Sequence, residues 1–392
     1  MAAGTLSKAL INHNILGWAL KRSGHTEGTL AERLATSEDR VTAWLEGKER
    51  PTFKQAQRIA TVLRVPFGFL YLPEVPTDQV PIVEFRRLPN ISARLNGDVL
   101  DLLSDVEFKR DWYRDYRIEE GQEPLEFVGR FSTNEPAVLV ASDIRRELSR
   151  QSNSLFATRK TYERFLDELM KAAEKSGIWV MRSGVIGNNT HRPIPVEVLR
   201  GFAVADKIVP LIFVNGRDSK SAQIFTVAHE LAHLWIGKSS IEFGSLSEIS
   251  TNGDNSVERK CNEIAAELLI PSDEFSSAWS KDRALESQVN HLAERFSVSR
   301  VVIARRALEQ GFVSGDGYRD FYASEVQRWA DQVDGGSGGG SYYNNIPARN
   351  GKAFTSAVAR EAAIGRLMYR EAGQLLGVQP SKVRELFERS VG

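Results

Sequence analysis

Ser221-Ala-Gln-Ile-Phe-Thr-Val-Ala-His-Glu-Leu-Ala-His-Leu-Trp235 is the stretch on which the reading of this chain turns. Phe225, Ala228, Ala232, Leu234 and Trp235 recur at helical spacing, and Gly237 follows as a stop signal. In a helix, His229 and His233 stand one turn apart on one face. Two imidazoles so placed can hold one Zn2+. Glu230, about 100° round the axis, can then act as general base toward a metal-activated water. The competing reading is a pair of surface histidines on an ordinary helix. The regular apolar period and the strand-like run just upstream favour the metal.

A catalytic zinc needs a third protein ligand and one open position. Glu258, Glu263 and Glu267 are the downstream candidates, in Glu258-Arg-Lys-Cys-Asn-Glu-Ile-Ala-Ala-Glu-Leu-Leu-Ile-Pro271. Helical phase separates them. Glu258 shares a face with Asn262, Ala265 and Leu269, which predicts that this face points inward. Glu263 and Glu267 fall with Lys260 on a face expected to be solvated. Glu258 is therefore the preferred ligand. Asn262, one turn on, would support a ligand histidine by hydrogen bonding. The alternatives are that Glu258 caps its helix, or that His191 or His291 completes the set.

Composition limits the remaining choices. The 392 residues exceed one ordinary domain, and a hydrophobic share of 42% suffices for real cores. Lys and Arg together number 51, as do Asp and Glu, so the chain is no nucleic-acid coat and any DNA contact must be local. A single cysteine, Cys261, excludes a disulfide framework and a cysteine-rich zinc knuckle and fits a reducing compartment. With neither a signal-peptide pattern nor an apolar run of about 18 residues, the expected location is the cytoplasm, without a membrane partner.

Along the chain, residues 1–75 read as short helices, and Pro73-Glu-Val-Pro-Thr-Asp-Gln-Val-Pro81 reads as a linker. Residues 76–154 are expected to form a helical linker region. Residues 155–333 hold the β-rich runs 177–181, 201–205 and 209–215, then the metal helix and further helices. The last part, 334–392, opens on Gly335-Gly-Ser-Gly-Gly-Gly-Ser341, a flexible connector of native or engineered origin, and continues helical. The expected fold class is α+β, mostly α, with a small antiparallel sheet before the metal helix.

His229-Glu-Leu-Ala-His233 followed by Glu258-Arg-Lys-Cys-Asn-Glu-Ile-Ala-Ala-Glu-Leu-Leu-Ile-Pro271 resembles the ImmA/IrrE family of bacterial metallopeptidases. The family pattern has alanine where Cys261 stands and phenylalanine where Ile264 stands. The resemblance spans roughly residues 155–310 and reaches Gly340-Ser-Tyr-Tyr343 and the tail. It implies a zincin-like domain, with His229, His233 and Glu258 as zinc ligands and Glu230 as the base. It also implies cleavage of a repressor-like protein at a specific site. Tyr342 and Tyr343 are candidate donors to an oxyanion; the alternative is that they anchor the connector to the domain surface.

Leu30-Ala-Glu-Arg-Leu-Ala-Thr-Ser-Glu-Asp-Arg-Val41 resembles the XRE/Cro-type helix-turn-helix pattern, with Ala31 and Val41 as core contacts. That likeness implies a five-helix domain with a recognition helix near Glu38–Glu46. Arg40, Thr42, Lys48 and Arg50 are its candidate DNA contacts. Glu38 and Asp39 oppose phosphate, and residues 1–75 carry ten basic and seven acidic side chains, a net of only +3. Docking of a protein or homodimerisation through the same module is the competing reading. Residues 291–305 and 370–384 also scan as helix-turn-helix. The first reads better as internal packing, whereas Lys382 and Arg384 of the second could meet DNA or a partner.

Two functions follow as expectations. One is a zinc endopeptidase that regulates transcription by cutting a repressor or partner protein, localised by its N-terminal helices. The other is a DNA-binding antitoxin or repressor in which the zinc domain mainly binds a partner such as a cognate toxin. An intact Glu230 favours the enzyme.

Overall fold

The computed structural model describes residues 7–77, 79–88, 91, 95–152, 155–156, 160–243, 255–280, 282–331 and 342–391. The chain divides into two compact units, 1–105 and 106–392. No helix among the described residues is long and apolar enough to cross a membrane.

The first unit contains α1 (His13–Ser23), α2 (Glu27–Leu34), α3 (Glu38–Leu45) and α4 (Phe53–Leu63). Local signals set their ends. The Asn12 side chain caps α1 by accepting from Asn14 N at 3.0 Å, and Gly24 closes it at φ 70°. Thr26 and Thr29 form a capping box on α2. Leu30, Ala31, Leu34, Val41, Trp44 and Ile59 are buried together. After these four helices, residues Phe67–Tyr71 form a short 3₁₀ turn, which buries Leu70. Pro66 enters it and Pro73 follows soon after, leaving too little chain for an α-helix. A second 3₁₀ turn (Val83–Arg87) precedes α5 (Gly97–Glu119).

The second unit is built on four strands: β1 (Trp179–Ser183), β2 (Gly201–Val204), β3 (Leu211–Asn215) and β4 (Ser240–Glu242), in the order β1-β3-β2-β4. The expected antiparallel sheet is in fact mixed. β3 pairs antiparallel with β2 but parallel with β1, because it inserts between the two strands that precede it. Side-chain alternation reports faces and carries no strand direction, so the sequence could not show this. β4 pairs antiparallel with β2 at the sheet edge. With three residues, two of them polar, it escaped the sequence reading.

Helices cover both faces of the sheet, which is why its strands read as unbroken apolar runs. Val180, Ala203, Ile212 and Val214 face one large core. That core is shared with α6 (Ala137–Gln151), α7 (Tyr162–Lys175), α8 (Lys220–Trp235) and α9 (Asn255–Leu269). It extends to α10 (Ser272–Ala278), α11 (Leu285–Phe296), α12 (Arg300–Glu309) and α13 (Gly315–Asp331). Phe127, Val128, Val140 and Ile144, from the stretch expected as a linker region, belong to this core. So do Leu292, Ala293, Val298, Ile303 and Ala304 of the 291–305 stretch.

On the other side, α14 (Tyr342–Asn350) and α15 (Lys352–Ala363) pack on β1, followed by α16 (Tyr369–Leu376) and α17 (Pro380–Val391). Trp179 stacks on Phe354 at 4.9 Å between ring centroids. Its indole donates to Asn350 O at 2.6 Å. Gly351 adopts φ 85° here, and a Cβ would stand 2.7 Å from the Trp179 ring.

Candidate metal centre

α8 is buried nearly all round, from Gln223 to Trp235 with Phe225 half-buried. Ser219 caps it, accepting from Ala222 N at 3.2 Å. Its far end is locked by Phe127, stacked on Trp235 at 4.3 Å, and by Asp143, which accepts from the Trp235 indole at 2.9 Å. A helix so enclosed must find partners for every polar side chain it carries.

His229, Glu230 and His233 show where those partners are. The two Nε2 atoms lie 3.0 Å apart, and Glu258 Oε2 is 3.1 Å from that of His229. Glu258 Oε1 is 3.5 Å from His233 Nε2. Ligand atoms from these three residues all fall within 4.8 Å of one another. His229 Nδ1 lies 3.0 Å from Asn262 Oδ1, and His233 Nδ1 lies 3.1 Å from Lys238 O. A backbone carbonyl can only accept, so His233 carries its proton on Nδ1. A neutral His233 therefore presents a lone pair at Nε2, as a neutral His229 does when its Nδ1–H donates to Asn262 Oδ1. Two lone pairs facing each other beside a carboxylate repel unless a proton or a cation lies between. Two imidazoles and one carboxylate, with outward nitrogens pinned, are a donor set that fits a divalent cation such as zinc.

Without a cation the charges respond to one another. Burial pulls His229 down, but the Glu258 hydrogen bond and the charges of Glu242, Glu230 and Glu258 outweigh it, raising it to about 9. Burial and the neighbouring His229 lower His233. Burial would raise Glu258, yet the hydrogen bond from His229 and the close contact with His233 hold it well below the usual carboxylate range. Glu230 is 0% exposed. Burial, with the charges of Glu242 and Glu258, lifts it to about 8 against the pull of His229 and Ser240. Its Oε2 accepts from Ser240 Oγ at 2.7 Å, and its Oε1 has no hydrogen-bond partner among the described residues.

The sequence-derived positions divide as follows. Glu258 and Asn262 turn toward the buried histidines, yet both residues are exposed overall; of that stripe Ala265 and Leu269 are buried. Glu263 is exposed and pairs with Lys260 at 3.0 Å. Glu267 is not solvated as expected. It is 7% exposed and bonded to Arg306 and Ser272, which α12 and α10 bring over it. His191 and His291 are exposed and lie outside the metal group. Tyr342 and Tyr343 begin α14, and their side chains lie outside the described residues.

In the first unit, Arg40 stands 3.8 Å from Glu49, and Lys48 pairs with Glu46 at 2.7 Å. Thr42 donates to Glu27 and lies 3.1 Å from Glu38 O; Arg50 is exposed. Near the C-terminus, Lys382 and Arg384 pair within α17 with Glu385 and Glu388.

Ser240, Glu242 and Thr226 were not foreseen. Glu242 is raised by burial, and its Oε2 lies 3.3 Å from Thr226 Oγ1. The signal was the polar-apolar-polar alternation of Ser240-Ile241-Glu242, too short to stand out.

Residues 173–308 match a family model described as the IrrE N-terminal-like domain, peptidase M78. That match supports the ImmA/IrrE resemblance over this stretch and makes it a metallopeptidase-like domain. Residues 350–389 match a model for a domain of unknown function, DUF8813. No curated protein matches the chain.

Proposed function

We propose that this chain is a zinc-dependent endopeptidase that cuts a repressor-like or other regulatory partner protein, with residues 1–75 delivering it to that partner or to DNA. One observation carries the reading: Glu230 Oε1 is buried with no hydrogen-bond partner among the described residues, on a carboxyl whose charge is coupled to His229 and Glu258. A buried carboxylate oxygen without a donor costs stability, so its presence at such a site points to chemistry.

His229, His233 and Glu258 would hold the ion. Bound zinc supplies Lewis acidity, polarising a peptide carbonyl and lowering the pKa of a water. Glu230 Oε1 takes the proton of the attacking water and returns it to the leaving amine. Asn262 and Lys238 O fix the two rings so that both Nε2 atoms stay aimed at one point.

An antitoxin or repressor that only binds has no use for an unpartnered base. The engagement of Arg40, Thr42 and Lys48 by neighbouring acidic groups further weighs against tight DNA binding as the main role.

The test is a comparison of new protein N-termini. Zinc-loaded wild type and Glu230→Gln are each incubated with soluble protein from the native cells. The wild type is expected to generate a small set of cleavage sites that the variant does not. Identical sets from the two proteins would sink the reading.

A further inference from the structure

The two oxygens of Glu230 are unequal: Oε2 is held by Ser240 Oγ at 2.7 Å, and Oε1 is bare. The inequality traces to a match between β4 and α8. Ser240 and Glu242, two residues apart, lie on one face of the strand. Thr226 and Glu230, four apart, lie on one face of the helix. The two faces meet in a pair of side-chain contacts, Ser240 to Glu230 and Thr226 to Glu242. Opposite them on β2 stand Ala203 and Gly201, in register with Ser240 and Glu242. A Cβ on Gly201 would lie 2.6 Å from Thr226 Cγ2, 2.8 Å from Phe213 O and 3.3 Å from Glu230 Oε1. The missing side chain lets the helix approach the sheet and leaves the bare oxygen clear.

Packing alone does not orient a carboxylate. The last torsion of a glutamate is broad, so its two oxygens can turn within the same walls. Among the described residues, Ser240 is the side-chain donor that Glu230 has, and it is itself 3% exposed on a paired strand.

We propose that Ser240 is a positioning residue for Glu230: its hydroxyl pins Oε2 and so presents Oε1 to the reacting water. The assignment rests on the peptidase reading above. It predicts a loss in the chemical step with no loss of metal, because Ser240 is not among the ligand residues.

Wild type, Ser240→Ala, Ser240→Thr and Glu230→Gln are compared as zinc-loaded full-length chains. Cleavage of dye-labelled casein is one readout. The Kd for acetohydroxamic acid by calorimetry is the other; it needs no substrate, because a hydroxamate gives its hydroxyl proton to the base beside the metal. In Ser240→Ala, kcat is expected to fall about tenfold, the worth of one hydrogen bond to an ionised group. KM and zinc content stay unchanged, and the melting temperature falls by no more than the loss of one buried hydrogen bond explains. The hydroxamate Kd weakens by a similar factor, and Ser240→Thr recovers both. A merely structural role would lower the melting temperature without splitting kcat from KM. The assignment is overturned if Glu230→Gln loses both readouts while Ser240→Ala matches wild type, or if Ser240→Thr behaves no better than Ser240→Ala. If Glu230→Gln equals wild type in both, or wild type shows neither, the peptidase reading itself fails.

Discussion

His229 and His233 face each other through their Nε2 atoms at 3.0 Å, in the second half of a helix that is buried nearly all round. Without an ion two lone pairs would meet unfavourably, and the Glu258 hydrogen bond with the charges of Glu242, Glu230 and Glu258 favours a proton on His229, raising it to about 9 against burial. A divalent cation bound there would displace that proton, which would couple metal binding to proton release.

The purified chain is therefore expected to hold about one zinc. A chelator should lower its melting temperature, and added zinc should restore it. His229→Ala/His233→Ala should abolish both the metal and the chelator effect. Asn262→Ala removes only the partner of the His229 Nδ1 and should weaken zinc affinity about 10–100-fold, with stoichiometry kept at saturation. Metal analysis and a competition titration read these outcomes. Zinc content unchanged in the double variant would refute the site.

Asn350 is expected to be the main tether of the C-terminal helices. Its Oδ1 accepts from Lys109 at 2.9 Å, its amide donates to Leu376 O at 3.1 Å, and its own carbonyl accepts from the Trp179 indole. It is 2% exposed, so its lost side-chain bonds cannot be replaced by water. Asn350→Ala should destabilise the chain by about 2–3 kcal/mol. Limited proteolysis should then cut within residues 342–391 well before wild type is cut. Equal protection of this region in both proteins would show that the aromatic stack of Trp179 and Phe354 suffices alone.

Asp206 gives a pH signature away from the metal. Burial raises it, but the amides of Val209 and Ile208, at 2.9 and 2.7 Å, and the Arg114 guanidinium outweigh this and leave it below its ordinary value of 3.8. A depressed carboxylate adds stability that is present above the unfolded value and lost as pH falls through the folded one. Asp206→Asn should thus be less stable than wild type near pH 7, by about 1–2 kcal/mol. The gap should close as the pH drops below about 4. Denaturant unfolding at several pH values measures it, and a gap that widens in acid would reverse the assigned sign.

What the sequence could and could not show follows from the range of the interactions involved. The helix of His229 and His233 was legible because its apolar period and its HExxH spacing are local. Glu258 was legible through helical phase, although its exposed setting was not. Glu267 was misplaced because what buries it is Arg306, 39 positions away, and phase along one helix carries no news of another. The contact of Trp179 with Asn350, 171 positions apart, was equally out of reach. β4 failed for a different reason. Three residues are too few to establish a period of two, yet they carry the hydroxyl that meets Glu230.

Glu230→Gln and Glu258→Gln separate the base from the ligand. Glutamine keeps the size of glutamate and one accepting oxygen, so Ser240 still has a partner in Glu230→Gln and the helix should stay packed. Glu230 is not among the converging ligand residues, so the zinc should stay as well. What is lost is the proton acceptor, and general-base help is typically worth ~10²–10⁴ in rate. Glu258→Gln removes the anionic member of the ligand set and should cost zinc affinity together with rate. In cells, a working peptidase should lose its phenotype with either substitution. A binder that uses zinc for structure should keep its phenotype with Glu230→Gln and lose it when residues 1–75 are deleted. That second pattern, with full zinc content in Glu230→Gln, would make the motif an inherited metal site on a binding protein.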